Sequence, residues 1–267
     1  MTALADRALH TPVGPARRQG HDLGVAGVVL VWITAVLLLD RGASLGQQRL
    51  LGVATWLLLL GLLAREAPIV RAQTAVVVVF ATAVEYTFSP LLEVYLYRLP
   101  GVPWFVPPGH GLVYLAALAI GRSPQARARP RALVAATAVA GTAYAVWGLL
   151  GPGRLDVLGA FWLCCLLGFL RWGRSALLYV GAFVVVTYLE VLGTALHVWT
   201  WQPYDPTGLV PIGNPPSGAA GGYGWFDLAA VLAAPALLRA VARARMRLPG
   251  RGAPARGLSG RPDLPMQ

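Results

Sequence analysis

Two glutamates lie deep within long apolar stretches of the sequence, where ionisable side chains are rare. Glu85 lies 13 residues into the stretch that begins near Ala72, and Glu190 lies 14 residues into the stretch that begins near Ala176. Because an ionised carboxylate that faces lipid is costly, we expect both side chains to face the interior of a helix bundle. There a carboxyl group can transfer a proton to a substrate, carry a proton across the membrane, or hydrogen-bond a neighbouring helix as a purely structural group.

Three further polar residues are expected close to these glutamates. Asp227 lies nine residues into the last apolar stretch, near the predicted depth of Glu190, where it could pair with that acid or stabilise a developing cation. His197 falls about 20° from Glu190 around a helix. His110 follows a Pro-Pro-Gly segment at the start of another apolar stretch, and both histidines are expected at the mouth of a pocket. The candidate acid–base residues are therefore Glu85, Glu190, Asp227, His197 and His110.

Polar and aromatic residues around these candidates would complete the pocket. The aromatic rings fit either a membrane aromatic belt or a binding site for an apolar or cationic group. No Walker, dinucleotide-binding or Gly-x-Ser-x-Gly pattern occurs in a suitable context, so the sequence specifies no cofactor. The histidines lack the spacing of metal ligands, and no metal site is predicted. The candidate substrate-binding residues are Glu93, Tyr114, Trp199, Trp201, Asn214 and Tyr223.

Transmembrane helices are the elements that would position these residues. The chain of 267 residues is 57% hydrophobic and 12% charged, which is about half the charge of a typical soluble domain. Several stretches approach the ~20 apolar residues that cross a bilayer. We therefore predict an all-α integral membrane protein with about eight transmembrane helices. The predicted spans are Leu23–Leu39, Leu50–Ala64, Ala72–Tyr97, Gly109–Gly121, Ala132–Leu150, Val157–Leu170, Ala176–Trp199 and Gly218–Leu238.

The distribution of arginine predicts the orientation in the membrane. All 22 basic residues are arginine, and the net charge is +11. With the N-terminus in the cytoplasm, 18 of the 22 arginines lie in cytoplasmic segments, in agreement with the positive-inside rule. The sequence thus predicts a multi-pass protein of the cell membrane with both termini in the cytoplasm. Its expected partners are membrane lipids and an apolar small molecule, not nucleic acid, and the oligomeric state is left open.

Two segments that begin at Glu85 and Glu190 indicate an internal repeat. Each glutamate is followed by an aromatic-x-aromatic pair, a Pro/Gly-rich loop, a Pro-Pro pair, a tyrosine and a Leu-Ala-Ala sequence, in the same order. Chance similarity between proline-rich loops is the alternative. A repeat predicts two similar four-helix halves with the same orientation in the membrane. The predicted organisation is a disordered N-terminus (1–22), a first half (23–121), a basic cytoplasmic linker (122–131), a second half (132–238) and a basic disordered tail (239–267).

The segment around Glu190 has the pattern E-x-x-G-T…W-x-W followed by a Val-Pro in the outer loop, formed by Glu190, Gly193, Thr194, Trp199, Trp201 and Pro211. This pattern resembles that of integral membrane proteins of carotenoid biosynthesis, of the hydratase type. The resemblance covers about a tenth of the chain and does not extend to the Pro-Pro-Ser-Gly segment or to the repeat. Together with the intramembrane acids, it favours acid–base chemistry on an isoprenoid or lipid-like substrate in an outward-opening acidic pocket. Two other functions stay open: a proton-coupled transporter of a small or lipid-like solute, and a non-catalytic membrane component.

Overall fold

Helices dominate the structure, a computed structural model that describes residues 15–151 and 153–247. Within these ranges the chain forms nine α-helices, a π-helical turn (Thr87–Leu91) and two short strands, β1 (Tyr95–Tyr97) and β2 (Trp199–Trp201). The strands pair antiparallel and are called the sheet. The helices are α1 (Pro15–Asp40), α2 (Leu45–Leu63), α3 (Pro68–Tyr86), α4 (Val106–Arg122), α5 (Pro124–Ala128), α6 (Pro130–Leu150), α7 (Val157–Trp172), α8 (Ala176–Ala195) and α9 (Ala219–Arg247).

In the described part of the chain, six helices are long and apolar enough to cross a membrane. This finding confirms the prediction of a helical, multi-pass membrane protein in its general form. Helices α4 and α7 correspond to the fourth and sixth predicted spans. They have 17 and 16 residues and are shorter than those six helices. The six stretches are His21–Asp40, Leu45–Leu63, Pro68–Leu91, Pro130–Leu150, Ala176–Ala195 and Ala219–Ala244.

Helices α3 and α8 end earlier than the sequence predicted. The predicted spans run to the last residue of β1, Tyr97, and to the first residue of β2, Trp199. Helix α3 instead ends at Tyr86 and α8 ends at Ala195. Pro90, which has no backbone N–H to donate, lies in the π-helical turn after α3. Each chain segment then passes through a left-handed residue, Glu93 (φ 50°) or His197 (φ 55°), before its strand. Because both strands are aromatic, hydropathy alone did not reveal where the helices stop.

The terminal helices extend into segments for which disorder was predicted. Helix α1 begins at Pro15 and α9 continues to Arg247, so residues 15–22 and 239–247 are helical. The rest of the two predicted disordered segments, 1–14 and 248–267, lies outside the described residues. The predicted basic linker contains the short helix α5.

Helix α4 lies at the centre of the bundle and is buried continuously from His110 to Ala119. It packs against α1, α2, α3 and α8, while α9 packs against α3, α7 and α8. Gly181 of α8 permits the close approach to α4, because a Cβ at this position would overlap the carbonyl group of Ala117. A helix surrounded by other helices is apolar on all faces, which fits the composition of α4.

Two polar clusters mark opposite ends of the bundle. At one end, Arg122 Nη2 lies 3.0 Å from Asp22 Oδ1 and 3.0 Å from Glu66 Oε1; we call this the basic end. At the other, Arg98 Nη2 lies 3.7 Å from Asp40 Oδ1; we call this the sheet end, because Arg98 directly follows β1. These contacts place the start of α1 beside the end of α4, and the end of α1 beside the sheet.

Candidate functional site

The sheet joins the two segments that the sequence repeat aligned. Tyr95 lies opposite Trp201, and Tyr97 lies opposite Trp199. Side chains two residues apart on a strand point to the same face, so each strand presents two aromatic side chains to the same side. Backbone hydrogen bonds extend the strand pairing by one residue beyond each end of the sheet. The two backbone hydrogen bonds there run from Arg98 N to Val198 O and from Gln202 N to Val94 O, each 2.9 Å long.

Glu85 is held by three side chains. Its Oε2 accepts hydrogen bonds from the hydroxyl groups of Tyr95 at 2.9 Å and Tyr97 at 2.7 Å, and its Oε1 lies 2.9 Å from His110 Nε2. Burial, and then the nearby Glu85 carboxylate, raise the pKa of both tyrosines well above the ordinary value. Both hydroxyl groups therefore keep the protons that they donate, and Glu85 is oriented through both of its oxygens.

Glu190 is held by two tryptophans in the corresponding way. Its Oε2 accepts from the indole Nε1 of Trp199 at 3.0 Å and of Trp201 at 3.1 Å. Because an indole N–H can only donate, Oε2 must act as an acceptor. Among the described residues, none donates a hydrogen bond to Oε1, so a proton on Glu190 would be carried by that oxygen. One carboxyl oxygen is thus fixed and the other is left available.

Gly193 allows Trp199 to reach Glu190. A Cβ at Gly193 would overlap the six-membered ring of Trp199, which folds back over the end of α8. The ring of Trp201 lies 4.5 Å from that of Tyr95 and 5.8 Å from that of Trp162, measured between centroids. The Glu-x-x-Gly spacing in the sequence therefore has a steric cause, since the glycine makes room for the tryptophan that binds the glutamate.

Both glutamates line one cavity with a volume of about 280 Å³. Its walls come from α1, α2, α3, α4, α7, α8 and α9 together with the sheet, and most of the lining side chains are aromatic or aliphatic. Glu85, Glu190 and His110 are therefore ionisable groups in an otherwise apolar space. Aromatic rings that complete the lining include Phe80, Phe88, Phe105, Trp162, Trp225 and Phe226.

The structure brings six of the eleven predicted site residues together at this cavity. His110, which was expected at an exposed mouth, is instead buried against Glu85. Its ring lies 5.2 Å from the ring of Tyr223 and 5.6 Å from that of Phe226. The six are Glu85, Glu190, His110, Trp199, Trp201 and Tyr223.

Three predicted residues lie at the surface of the sheet end. His197 and Glu93 are exposed in the left-handed positions before the strands, because the helices on which they were placed end earlier. Asn214 is also exposed, and its Oδ1 accepts a hydrogen bond from Trp201 N at 2.9 Å. The Asn214 side chain therefore holds β2 in place, and none of these three residues is among the residues described at the cavity wall.

Asp227 and Tyr114 are buried one helical turn further from the sheet than the cavity. Asp227 follows Tyr223 by four residues on α9, and Tyr114 follows His110 by four residues on α4. Within the described ranges, Asp227 Oδ2 and Tyr114 OH have no hydrogen-bond partner. Both residues lie outside the cavity lining. Asp227 therefore does not line the cavity, where it was expected to pair with Glu190 or stabilise a developing cation, and Tyr114 does not line it as the predicted substrate-binding residue.

Sequence reasoning missed Asp156, which anchors the loop between β2 and α9. This buried carboxylate accepts hydrogen bonds from Gly159 N and Gly213 N, each at 2.9 Å, on Oδ1. On Oδ2 it accepts from Ser217 N at 2.6 Å and Ser217 Oγ at 2.7 Å. An aspartate three residues before a glycine at a helix start is a sign of an N-cap. Nothing in the sequence indicates that Asp156 also contacts Gly213 and Ser217.

The glycine-rich segment after Asn214 serves close helix packing. A Cβ at Gly218 would overlap the Gly159 carbonyl group, and a Cβ at Gly221 would overlap that of Trp162. The sequence left open whether these small residues approach a helix or a ligand. For Gly218 and Gly221 the neighbour is α7, whereas Gly222 lines the cavity.

Arg154 and Asp205 order the backbone around β2. Arg154 donates to the carbonyl groups of Trp201 at 2.8 Å and Ile212 at 3.1 Å, and also to that of Gln202. Burial lowers the pKa of Arg154, and the charge of Asp156 opposes this effect. Hydrogen bonds from the backbone of Val210 and the side chain of Thr207 lower the pKa of the exposed Asp205. The backbone of β2 and of the loop that follows it is thus fixed by several hydrogen bonds. 

No protein-family model, curated protein or solved structure matches the chain. Among residues 15–151 and 153–247, no group of three or more His, Cys, Asp or Glu side chains could hold a metal ion. The two carboxylates and their cavity are therefore the features from which we infer a function.

Proposed function

We propose that the protein performs acid–base chemistry on an apolar, isoprenoid or lipid-like substrate bound in the cavity. The observation that carries this proposal is the pair of glutamates, Glu85 and Glu190. They are held by equivalent aromatic donors and face one apolar cavity. A pocket that is mostly apolar with a few convergent polar groups is the usual form of a small-molecule site.

Glu190 is the proposed acid. Its Oε2 is fixed by two indole groups, so its proton lies on Oε1 and is free to be transferred. When the O–H bond breaks, the proton adds to one carbon of a substrate double bond and leaves a cation on the other carbon. The faces of nearby aromatic rings, such as that of Trp162, stabilise such a cation. A positioned acid of this kind typically contributes about 10²–10⁴-fold to a rate.

Glu85 and His110 form the proposed base. The carboxylate of Glu85 takes a proton from a water molecule while the water oxygen forms a bond to the substrate cation. The substrate thus gains one water molecule in total. Proton return from Glu85 to Glu190 restores the site. Hydration is the reaction that the resemblance around Glu190 implies.

The size of the cavity limits what it can hold. Its volume of about 280 Å³ is near the lower end of the range for ligand pockets, roughly 300–1,000 Å³. The cavity therefore accommodates one end of a long apolar chain rather than the whole chain. The remainder of such a substrate would lie in the bilayer.

We infer that the bundle has eight spans in two similar four-helix halves. Support comes from the equivalence of Glu85 with Glu190 and of β1 with β2, and from the left-handed residue before each strand. Helix α4 has 17 residues, or roughly 26 Å at 1.5 Å per residue, which is close to the ~30 Å thickness of a bilayer core. The arginine distribution supports a cell-membrane location with cytoplasmic termini.

Untargeted lipid analysis tests the proposal. We expect a deletion strain to accumulate a substrate lipid, and wild-type protein or the Glu93→Gln variant to restore the normal profile. Glu93 is a matched control because it is an exposed acid of the first segment. The Glu190→Gln variant should retain the deletion profile at normal protein abundance.

Two other results would contradict an enzymatic function. Unchanged lipids with altered uptake of a solute in the deletion strain and the Glu190→Gln strain would indicate a transporter. Normal lipids and normal uptake, with reduced abundance of the Glu85→Gln, Glu190→Gln and Asp227→Asn variants, would indicate a purely structural role for these acids.

A further inference from the structure

The cavity extends to the outer surface of the bundle beside α9. Two of its aromatic lining residues, Phe80 and Trp225, have exposed fractions of 39% and 50%. Phe80 belongs to α3 and Trp225 to α9, and both helices contain stretches that are long and apolar enough to cross a membrane. These exposed rings therefore face lipid rather than water.

On the α3 side of α9, a row of rings leads from this surface to Glu85. The ring centroid of Phe80 lies 5.3 Å from that of Phe226, which lies 5.6 Å from that of His110. His110 Nε2 is 2.9 Å from Glu85 Oε1. The apolar surface and the first ionisable pair are thus separated by one buried phenylalanine.

On the α7 side of α9, a second row of rings leads to Glu190. Trp162 of α7 lies beside Gly222 of α9, where a Cβ would be 3.5 Å from the Trp162 ring. The ring of Trp162 lies 5.8 Å from that of Trp201, whose indole donates to Glu190. Gly222 therefore lines the cavity in close contact with Trp162, and a side chain larger than alanine at this position would project into the cavity.

The sheet end offers a less direct route. The backbone of β2 is bonded there to Arg154 and Asn214, and Asp156 fixes the loop that follows β2. An apolar chain that entered from water would have to displace these polar contacts. A chain that entered from lipid would meet only apolar rings until it reached His110 or the glutamates.

We propose that this partly exposed edge of the cavity beside α9 is a lateral portal, through which a substrate dissolved in the bilayer inserts one end of its chain into the cavity. The portal is defined by Phe80, Trp162, Gly222, Trp225 and Phe226. This inference takes the apolar nature of the substrate from the proposed function, but it does not depend on the proton transfer. It narrows the substrate class to apolar chains that reside in the membrane.

Photolabelling of the purified protein in phosphatidylcholine nanodiscs tests the portal. The probe is a polyprenyl alcohol that carries a diazirine at the end of its chain, and mass spectrometry locates the labelled peptides. We expect labelling of the cavity residues Trp201 and Tyr223. Gly222→Leu should reduce this labelling by about tenfold or more, because the added side chain fills the space beside Trp162. Trp225→Ala should increase it, because the rim becomes wider.

Gly27→Leu is the matched control, since Gly27 lies on the outer face of α1 with no atom within 4 Å of an added Cβ. It should leave cavity labelling unchanged. Equal labelling of Gly222→Leu and the wild type would overturn the portal. So would preferential labelling of the cavity by a water-soluble diazirine. If Gly222→Leu does not fold, unchanged or reduced labelling of Trp225→Ala decides against the portal.

The Glu190→Gln variant separates the two proposals. It should bind and be labelled like the wild type, because the portal and the cavity walls are intact. Normal labelling together with normal lipid profiles would retain the portal and reject the acid–base function. Absence of cavity labelling in the wild type, together with lipid profiles that still depend on Glu190, would reject the portal and retain the acid–base function.

Discussion

Tyr95 and Trp201 face each other across the sheet, and each donates its side-chain hydrogen to a different glutamate. Tyr95 bonds Glu85 and Trp201 bonds Glu190, while their ring centroids lie 4.5 Å apart. The two carboxylates are therefore positioned by one shared structural unit, although they belong to segments about a hundred residues apart. A change on either strand is expected to affect both acids.

Replacement of Trp201 by phenylalanine should weaken the proposed acid without removing the packing of its ring. The variant loses one of the two indole donors to Glu190. A hydrogen bond of this kind contributes about 1 kcal/mol, so we expect turnover of the accumulated lipid to fall by roughly 5–10-fold. Trp56→Phe is the control, because Trp56 is an exposed ring on α2. Equal turnover in both variants would show that Glu190 does not need this donor.

Removal of the tyrosine hydroxyl groups should reveal that Tyr95 and Tyr97 act on the same oxygen. Each of the variants Tyr95→Phe and Tyr97→Phe should lose about 1.5–3 kcal/mol of stability, the contribution of a hydrogen bond to a charged group. Because the remaining tyrosine still bonds Glu85 Oε2 in each single variant, the double variant should deviate from additivity by at least about 0.5 kcal/mol. Unfolding in detergent measures the stability of the purified wild type, the two single variants and the double variant. Strictly additive losses would contradict a shared acceptor for the two hydroxyl groups.

Substitution of Gly193 by alanine should displace Trp199 from Glu190. The added Cβ overlaps the Trp199 ring, so the ring must move or α8 must shift. We expect a lower temperature of unfolding and an altered tryptophan near-ultraviolet circular dichroism signal. Gly61→Ala is the control, since no atom lies within 4 Å of its added Cβ, and alanine favours the helix there. An unchanged circular dichroism signal in Gly193→Ala would show that the Trp199 ring does not pack against Gly193.

The repeated order of residue types led to the prediction that Glu85 and Glu190 occupy equivalent positions. In the structure each acid is followed by an aromatic pair on a strand of the same sheet, and both acids line one cavity. His197 was misplaced since the helical angle was extended past the end of α8 at Ala195. The hydropathy profile does not show where a helix ends within an aromatic, apolar stretch. A position around the helix axis that is calculated for a residue beyond that end is therefore wrong.

The sequence could not predict contacts between residues that lie far apart along the chain. His110 lies 25 residues from Glu85, and Asp156 lies 57 and 61 residues from Gly213 and Ser217. No periodicity links such positions, because they are brought together only when the helices pack. Asp156 therefore looked like an ordinary loop residue, although it accepts four hydrogen bonds.

Asp156→Asn should destabilise the protein even though the side chain keeps its shape. The new amide group can still accept from Gly159 and Gly213, but its NH₂ would face the N–H and hydroxyl groups of Ser217. An unsatisfied buried donor costs about 1–3 kcal/mol, so we expect a clear decrease in the temperature of unfolding. Asp205→Asn, in an exposed loop, should have a much smaller effect. Equal shifts in the two variants would argue against an anchoring role for Asp156.

Cysteine labelling in intact cells should place the sheet end outside the cytoplasm. In a background with Cys164 and Cys165 replaced by alanine, Leu209→Cys should react with a membrane-impermeant maleimide, because Leu209 is an exposed residue of the sheet end. Gln125→Cys, exposed on α5 at the basic end, should react only after the membrane is permeabilised. The physical reason is the retention of arginine-rich segments in the cytoplasm during insertion. The opposite pattern would invert the orientation, and labelling of both sites in intact cells would mean that the chain crosses the membrane an even number of times between them.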